Sequence, residues 1–139
     1  LYIVGGGIVT KSEMLLLNKL IPGRYIIRSN VTDEKLKSLY RNSICLLYPS
    51  LYEGFGIPII EAFSQGCPVI IYDNPACVEI SKGAALVCSS GVPFEISEYI
   101  KHLALEDEYS DFNNIIKISG LYDWKLTRSK NKSIYQQCL

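Results

Sequence analysis

Two carboxylates bracket a glycine-rich turn in the stretch PSLYEGFGIPIIEAF, residues 49–63. Glu53 precedes the turn and Glu61 follows it, with seven residues between them. Carboxylate oxygens accept hydrogen bonds from hydroxyl groups, so two acceptor oxygens suit the vicinal diol of a ribose or a sugar. Gly54 and Gly56 allow the backbone to approach a ligand closely, because neither carries a side chain. The stretch therefore has the residue types that bind a polyhydroxylated ligand.

The apolar run after this turn predicts a helix that begins at Pro58 and runs to Gly66. Proline suits the first helical position, where its fixed φ helps and its missing N–H costs nothing. Backbone amides at a helix start lack partners within the helix, and the helix dipole attracts an anion such as a diphosphate. The amides expected to be available are those of Gly56, Ile57, Ile59 and Ile60. A carboxylate repels phosphate, so each acid is expected to bind hydroxyl groups beside the diphosphate and not the diphosphate itself. Glu61 is expected to bind a ribose attached to one phosphate, and Glu53 the group attached to the other.

Short apolar runs alternate with segments of helical spacing along the chain. Each run is too short for a buried helix and predicts a parallel strand covered on both faces. The predicted strands lie at residues 1–6, 24–29, 44–50, 68–73 and 84–89, and the predicted helices include 13–20, 32–40, 93–106 and 123–137. This alternation predicts an α/β fold with a doubly wound, mainly parallel sheet and helices on both faces. Ligands bind at the carboxyl ends of the strands in such a fold, where residues 49–57 lie.

Composition excludes several classes of partner. The 139 residues fit one domain, and the 14 basic residues equal the 14 acidic ones, which gives no case for nucleic acid as a partner. No apolar run is long enough to span a bilayer. The opening LYIVGGG reads as a strand and not as a signal peptide, and we expect it to continue a longer protein.

The cysteines are odd in number and show no C-x-x-C spacing. They are Cys45, Cys67, Cys77, Cys88 and Cys138. At least two of them lie inside apolar, strand-like runs, so we interpret the group as reduced core residues of a cytoplasmic protein. The single histidine, His102, lies in a polar predicted helix and is expected at the surface.

The stretch PSLYEGFGIPIIEA resembles the E-x(7)-E motif of the group 1 retaining glycosyltransferases, which have the GT-B fold. Other segments resemble parts of the same family in the same order: LYIVGGG, VTDEKLKSLYRNSICLLYPS, QGCPVI, NPACVEI and YDWKLTRSKNKSIYQ. The resemblance implies that residues 1–139 are the C-terminal, nucleotide-sugar-binding domain and that an N-terminal acceptor domain lies outside this chain. It further implies transfer of a hexose, with retained configuration, from a nucleotide-diphosphate sugar to a saccharide or lipid-linked acceptor in bacterial surface polysaccharide synthesis. No cofactor and no metal is implied.

The resemblance also implies roles for individual residues. Glu53 corresponds to the catalytic acid that contacts the donor sugar, and Glu61 to the acid that holds the ribose hydroxyls. The remaining donor-binding residues are Tyr52, Gly54, Phe55, Gly56 and Ile57, and the residues of the base pocket or its loops are Gly6, Gly7, Ser29, Asn30 and Val31. In the family, the basic residues that neutralise the diphosphate lie upstream of LYIVGGG. We therefore expect this chain alone to bind donor weakly and to transfer nothing.

The residues after the first and third predicted strands disagree with two other functions of doubly wound sheets. A receiver domain needs an aspartate after the third strand, where this chain has Tyr48-Pro49-Ser50. A dinucleotide fingerprint has the pattern G-x-G-x-x-G, and after Gly5 and Gly7 its last glycine would fall at Thr10, so it is missing. No third oxygen-rich segment supports a divalent metal between Glu53 and Glu61. A sugar phosphorylase, an epimerase and a non-catalytic nucleotide-binding module stay open as alternatives.

Four basic residues near the end of the chain allow two interpretations. They are Lys125, Arg128, Lys130 and Lys132. A solvated helix face is favoured, and the alternative is contact with an anionic membrane at the inner face of the cell envelope, where lipid-linked acceptors lie.

Overall fold

The computed structural model describes residues 1–5, 7–89, 91–105 and 111–137. The chain divides into two compact units, Leu1–Leu36 and Lys37–Leu139. The first unit contains β1 (Tyr2–Val4), α1 (Lys11–Leu20), β2 (Ile26–Arg28) and the first residues of α2 (Asp33–Arg41). After the end of α2, the second unit contains β3 (Leu46–Tyr48), α3 (Ile57–Ser64), β4 (Val69–Tyr72), α4 (Pro75–Ser81), β5 (Leu86–Cys88), α5 (Pro93–Leu105), α6 (Phe112–Ser119) and α7 (Trp124–Gln137).

All the strand pairs in the described residues are parallel. In the first unit β1 pairs with β2, and in the second unit β4 lies between β3 and β5. Each pair of parallel neighbours is joined by a helix, as parallel pairing requires. The predicted α/β class, with parallel strands flanked by helices, is confirmed, and each of the five predicted strands contains an observed strand.

The strands differ in burial, which corrects one prediction. Val69, Ile70 and Ile71 of the central strand β4 are fully buried, as expected for a strand covered on both faces. The strands of the first unit are not covered in this way, since the outer residues of both β1 and β2 are exposed. The reason is the lack of a packed helical layer in that unit, where α1 has no buried residue.

The core of the second unit includes the inner face of α3. Ile59, Ala62 and Phe63 have no exposed surface, and their spacing places them on one side of the helix. Helix α6, whose Ile115 and Ile118 are buried, packs against α3. No helix was predicted at α6, although the spacing of its isoleucines follows the same rule.

The helices begin in different ways. Thr10 and Glu13 form a reciprocal capping box at α1, and at the start of α2 the Thr32 hydroxyl accepts a hydrogen bond from the Lys35 amide. At α4 the side-chain oxygen of Asn74 accepts hydrogen bonds from the amides of Ala76 and Cys77. Helix α3 has no side-chain cap. It begins at Ile57, one residue before the predicted start, and Pro58 is its second residue.

The predicted surface and core positions outside the site agree with the structure. Cys67, Cys77 and Cys88 are buried thiols, Cys45 is half-buried, and Cys138 lies outside the described residues. His102 is exposed, and α7 is exposed along its whole length, including its basic residues. Within the described ranges, no helix combines the length and the apolar character that crossing a bilayer requires.

Gly66 offers a test of how α3 and α6 pack. Its φ is +72°, and a β-carbon placed on it would lie 2.1 Å from Cε2 of Phe112. We expect Gly66→Ala to lower the free energy of unfolding by about 1–2 kcal/mol for the left-handed backbone and by about 1–3 kcal/mol more for displacing the ring.

Gly83→Ala is the matched control, because Gly83 has a similar φ of +80° and open space around it. Urea denaturation of both variants measures the difference. Equal losses at the two glycines would contradict the packing of Phe112 against Gly66.

Candidate functional site

Glu53 is held by a tyrosine at the end of a strand. It lies in the irregular segment between β3 and α3, and its Oε1 accepts a hydrogen bond of 2.5 Å from the Tyr48 hydroxyl. Tyr48 is the last residue of β3 and pairs with Ile71 of the buried strand β4. A carboxylate on a loop is thus tied to the sheet through a tyrosine that precedes it by five residues.

Glu61 is held by a second tyrosine, from a different element. It is an exposed residue of α3, and its Oε2 accepts a hydrogen bond of 3.3 Å from the hydroxyl of Tyr40, in the last turn of α2. Tyr40 is only 8 % exposed. One turn further along α3, Gln65 accepts a 2.6 Å hydrogen bond from Arg41, so two side-chain contacts join the end of α2 to α3.

The two tyrosines are protonated donors over a wide range of pH. Burial raises the pKa of Tyr48 well above its ordinary value, and the hydrogen bond to Glu53 and the charge of that carboxylate raise it further. Burial likewise raises the pKa of Tyr40, followed by the charge and the hydrogen bond of Glu61. In each case a phenolate beside a carboxylate would be repelled, so the neutral phenol is favoured.

The two tyrosine–glutamate pairs belong to one electrostatic neighbourhood. Ionisation of Tyr48 would be the smallest of the influences that raise the pKa of Tyr40, which indicates that the two phenols lie near each other. We call Tyr40, Tyr48, Glu53 and Glu61 the phenol–carboxylate cluster. Cys77 borders it, since burial and then the charge of Glu53 raise the pKa of its thiol. The cluster lies in the second unit and surrounds the start of α3 in sequence.

The start of α3 differs in two respects from its prediction. Gly56 is buried and adopts a left-handed backbone with φ +88°, so its glycine is required by the turn itself and not only by the approach of a ligand. The Ile59 amide is not available, because it donates to the Gly56 carbonyl at 3.0 Å. Among the described residues, the amides of Gly56 and Ile57 make no hydrogen bond. Two amides at the helix start therefore keep the capacity to bind an anion.

The other predicted donor-binding residues line the same loop with different exposure. Gly54 is exposed, and a β-carbon there would meet nothing within 4 Å. Tyr52 is 90 % exposed and its ring lies in solvent. Phe55 packs edge-to-face against Tyr122 with ring centroids 5.8 Å apart, and Ile57 is exposed as the first residue of α3.

The residues predicted for the base pocket belong to the first unit. Ser29, Asn30 and Val31 follow β2, and Gly7 follows β1, while Gly6 lies outside the described residues. Their role as contacts for a nucleotide base stays a prediction. In the part of the chain that the structure describes, no group of three or more histidine, cysteine, aspartate and glutamate side chains is placed to hold a metal ion.

The geometry defines an α/β domain of the Rossmann-like class, with acids around a helix that starts at the carboxyl end of a parallel strand. The chain belongs to the family of glycosyl transferases group 1, which matches residues 1–117. This family is the one that the sequence resembles, and Glu53 and Glu61 lie within the matched residues.

Curated relatives include several mannosyltransferases. The chain is 39 % identical over 87 residues to the O-antigen chain mannosyltransferase RfbU of Salmonella typhimurium, which covers 62 % of this chain and 25 % of the relative. It is 40 % identical over 80 residues to the serotype-specific mannosyltransferase WbdA of Escherichia coli, covering 57 % of this chain and 10 % of the relative. It is also 40 % identical over 52 residues to an MMP alpha-(1->4)-mannosyltransferase of Mycolicibacterium hassiacum, covering 37 % and 13 %. The chain thus spans a quarter or less of the length of these relatives.

The electrostatic contact between Glu53 and Tyr48 can be measured directly. We expect Glu53→Gln to lower the pKa of Tyr48, because the charge that opposes the phenolate is removed while an acceptor oxygen is kept. The pKa should stay above the ordinary tyrosine value, since burial is the larger cause.

NMR of ring-labelled tyrosine across alkaline pH measures this pKa, with Tyr48→Phe assigning the resonance. Glu79→Gln, at an exposed glutamate of α4, is the control and should leave the pKa unchanged. A Tyr48 pKa that Glu53→Gln does not lower would contradict the contact.

Proposed function

We propose that the chain is the donor-binding domain of a retaining glycosyltransferase that moves a hexose from a nucleotide-diphosphate sugar to a saccharide or lipid-linked acceptor. The observation that carries this proposal is the phenol–carboxylate cluster around the start of α3. Tyr48 and Tyr40 each donate a hydrogen bond to one of the two acids, and between the acids in sequence lie Gly56 and Ile57, whose amides make no hydrogen bond within the described residues. Amides suit a diphosphate and carboxylates suit the hydroxyl groups on either side of it.

The family match supports transfer over the alternatives of phosphorolysis, epimerisation or nucleotide binding alone. The names of the reported relatives add a substrate class, because all three are mannosyltransferases and one of the names refers to an O-antigen chain. We therefore propose mannose as the transferred hexose and bacterial surface polysaccharide as the product. The acceptor is assigned to an N-terminal domain, in keeping with the small share of each relative that this chain spans.

The proposed roles follow from the chemistry of each group. Glu61 holds the ribose hydroxyls, Glu53 holds hydroxyls of the donor sugar, and the backbone from Gly54 to Ile57 lines the sugar and the diphosphate. The loop after β2 takes the base. Retention is attributed to front-face displacement, in which the leaving phosphate accepts the proton of the acceptor hydroxyl, so no side chain is assigned as a nucleophile. The proposal requires no metal and no cofactor.

We place the full-length protein in the cytoplasm and propose, as the alternative to a solvated face of α7, a peripheral contact with the inner face of the membrane, where lipid-linked acceptors lie. The feature that supports this location is the exposed face of α7, whose charged residues are all basic. Basic residues near an anionic surface contribute about 1 kcal/mol each to binding. A peripheral contact of this kind needs no spanning helix.

Nucleotide binding tests the proposed site. We expect one of UDP, GDP and ADP, or its hexose conjugate, to stabilise the full-length protein, by roughly 2.7 kcal/mol at about a hundred times its dissociation constant. Glu61→Ala should remove most of this effect, because the ribose loses its acceptor. Thermal-shift measurements give the comparison, with Glu79→Ala as the control at another exposed helical glutamate. A full response in Glu61→Ala would exclude the ribose role.

Turnover tests the second acid. We expect Glu53→Ala to lower kcat of the full-length protein by about a hundredfold, because the donor sugar is no longer oriented for displacement. Transfer of radiolabelled hexose to the acceptor measures it, and circular dichroism checks that the variant is folded. Near-normal transfer would remove Glu53 from the site.

A further inference from the structure

We propose that Tyr48 is a positioning residue that orients Glu53 toward the donor sugar, and this inference rests on the proposed function. The Tyr48 hydroxyl donates to Oε1 of Glu53 at 2.5 Å. Within the described chain, Oε2 of Glu53 accepts no hydrogen bond. The tyrosine thus occupies one oxygen of the acid and leaves the other to receive a hydroxyl group of the sugar.

The two partners differ in how firmly the fold holds them. Glu53 lies in the irregular segment that joins β3 to α3, where its own backbone has no strand or helix to fix it. Tyr48 lies in β3, hydrogen-bonded in register with Ile71 of β4, which is fully buried. A functional side chain on a loop is oriented more accurately when a group on a rigid element holds it. The hydrogen bond thus ties the side chain of Glu53 to a residue whose position is fixed by the sheet.

The chemistry of the pair favours a positioning role over proton transfer. The neutral phenol donates a hydrogen bond to one oxygen of Glu53 and adds no charge of its own beside the carboxylate. It stays protonated far above neutral pH, so it cannot serve as a base under working conditions. What it supplies is direction, since a short hydrogen bond to a charged acceptor holds one oxygen of the carboxylate in place.

The two tyrosine–glutamate pairs of the cluster are assigned to different halves of the donor. Tyr48 acts on the acid assigned to the sugar, and Tyr40 acts on the acid assigned to the ribose. Loss of the Tyr48 hydroxyl should therefore weaken sugar recognition without affecting the nucleotide. A residue that only stabilised the fold would change the binding of both.

The experiment compares a nucleoside diphosphate with its hexose conjugate in the full-length protein. The pair is the one to which the wild type responds in a panel of UDP, GDP, ADP and their hexoses. Isothermal titration calorimetry measures both dissociation constants, and hexose transfer measures kcat. For Tyr48→Phe we expect an unchanged dissociation constant for the nucleoside diphosphate, an approximately tenfold weaker conjugate and an approximately tenfold lower kcat.

Tyr99→Phe is the matched control. It removes a phenol that also makes one hydrogen bond, to the Val87 carbonyl at 3.1 Å, in the same unit but with a partner outside the cluster. We expect it to leave both dissociation constants and kcat unchanged. The double variant Tyr48→Phe with Glu53→Ala should match Glu53→Ala alone, because the tyrosine acts through the acid.

The outcomes separate this inference from the proposed function. Equal weakening of nucleoside diphosphate and conjugate in Tyr48→Phe, an unchanged conjugate, or a further loss on top of Glu53→Ala would each overturn the positioning role while the donor site stands. A wild type that binds none of the nucleotides would overturn the proposed function, and the inference with it.

Discussion

Burial of the inner face of α3 is the constraint on which the arrangement of the site depends. Ile59, Ala62 and Phe63 are removed from water completely, and each large side chain buried in this way contributes about 1.5–3 kcal/mol. Because the inner face is fixed, the rotation of the helix about its axis is fixed too, and Glu61 is directed to the side where Tyr40 meets it. The same burial encloses Gly56, whose left-handed backbone brings the chain from the loop into the helix.

The fold class could be predicted because strands and helices of parallel sheets differ in period and alternate in order. The five apolar runs are local signals, which can be recognised without knowledge of tertiary contacts. The burial of β1 and β2 could not be predicted in this way, since it depends on what packs above them. Helix α6 was not predicted, although the spacing of its buried isoleucines, Ile115 and Ile118, is visible in the sequence.

The candidate site could be predicted only in part. The two acids and the glycines are adjacent in sequence, so their spacing was sufficient to select them, and the start of α3 lies within one residue of its prediction. The tyrosines were not selected, for two reasons. Tyr40 lies in a different helix from Glu61 and 21 residues before it, and Tyr48 ends an apolar run typical of core strands. A hydroxyl group at the end of a buried ring gives no signal in a hydrophobic pattern. The Ile59 amide was wrongly taken as available because a tight first turn closes it, which depends on the backbone of Gly56.

The neighbouring helices α3 and α4 follow adjacent parallel strands, and both begin at the same edge of the sheet, but their first turns are capped differently. Asn74 saturates the first amides of α4 with its own side chain, whereas glycine leaves those of α3 uncapped. The asparagine side chain therefore occupies the donors at one helix start, whereas the described residues make no hydrogen bond with the amides of Gly56 and Ile57 at the other. An asparagine side chain at one position and a bare glycine at the other thus decide which of two neighbouring helix starts keeps unused N–H donors.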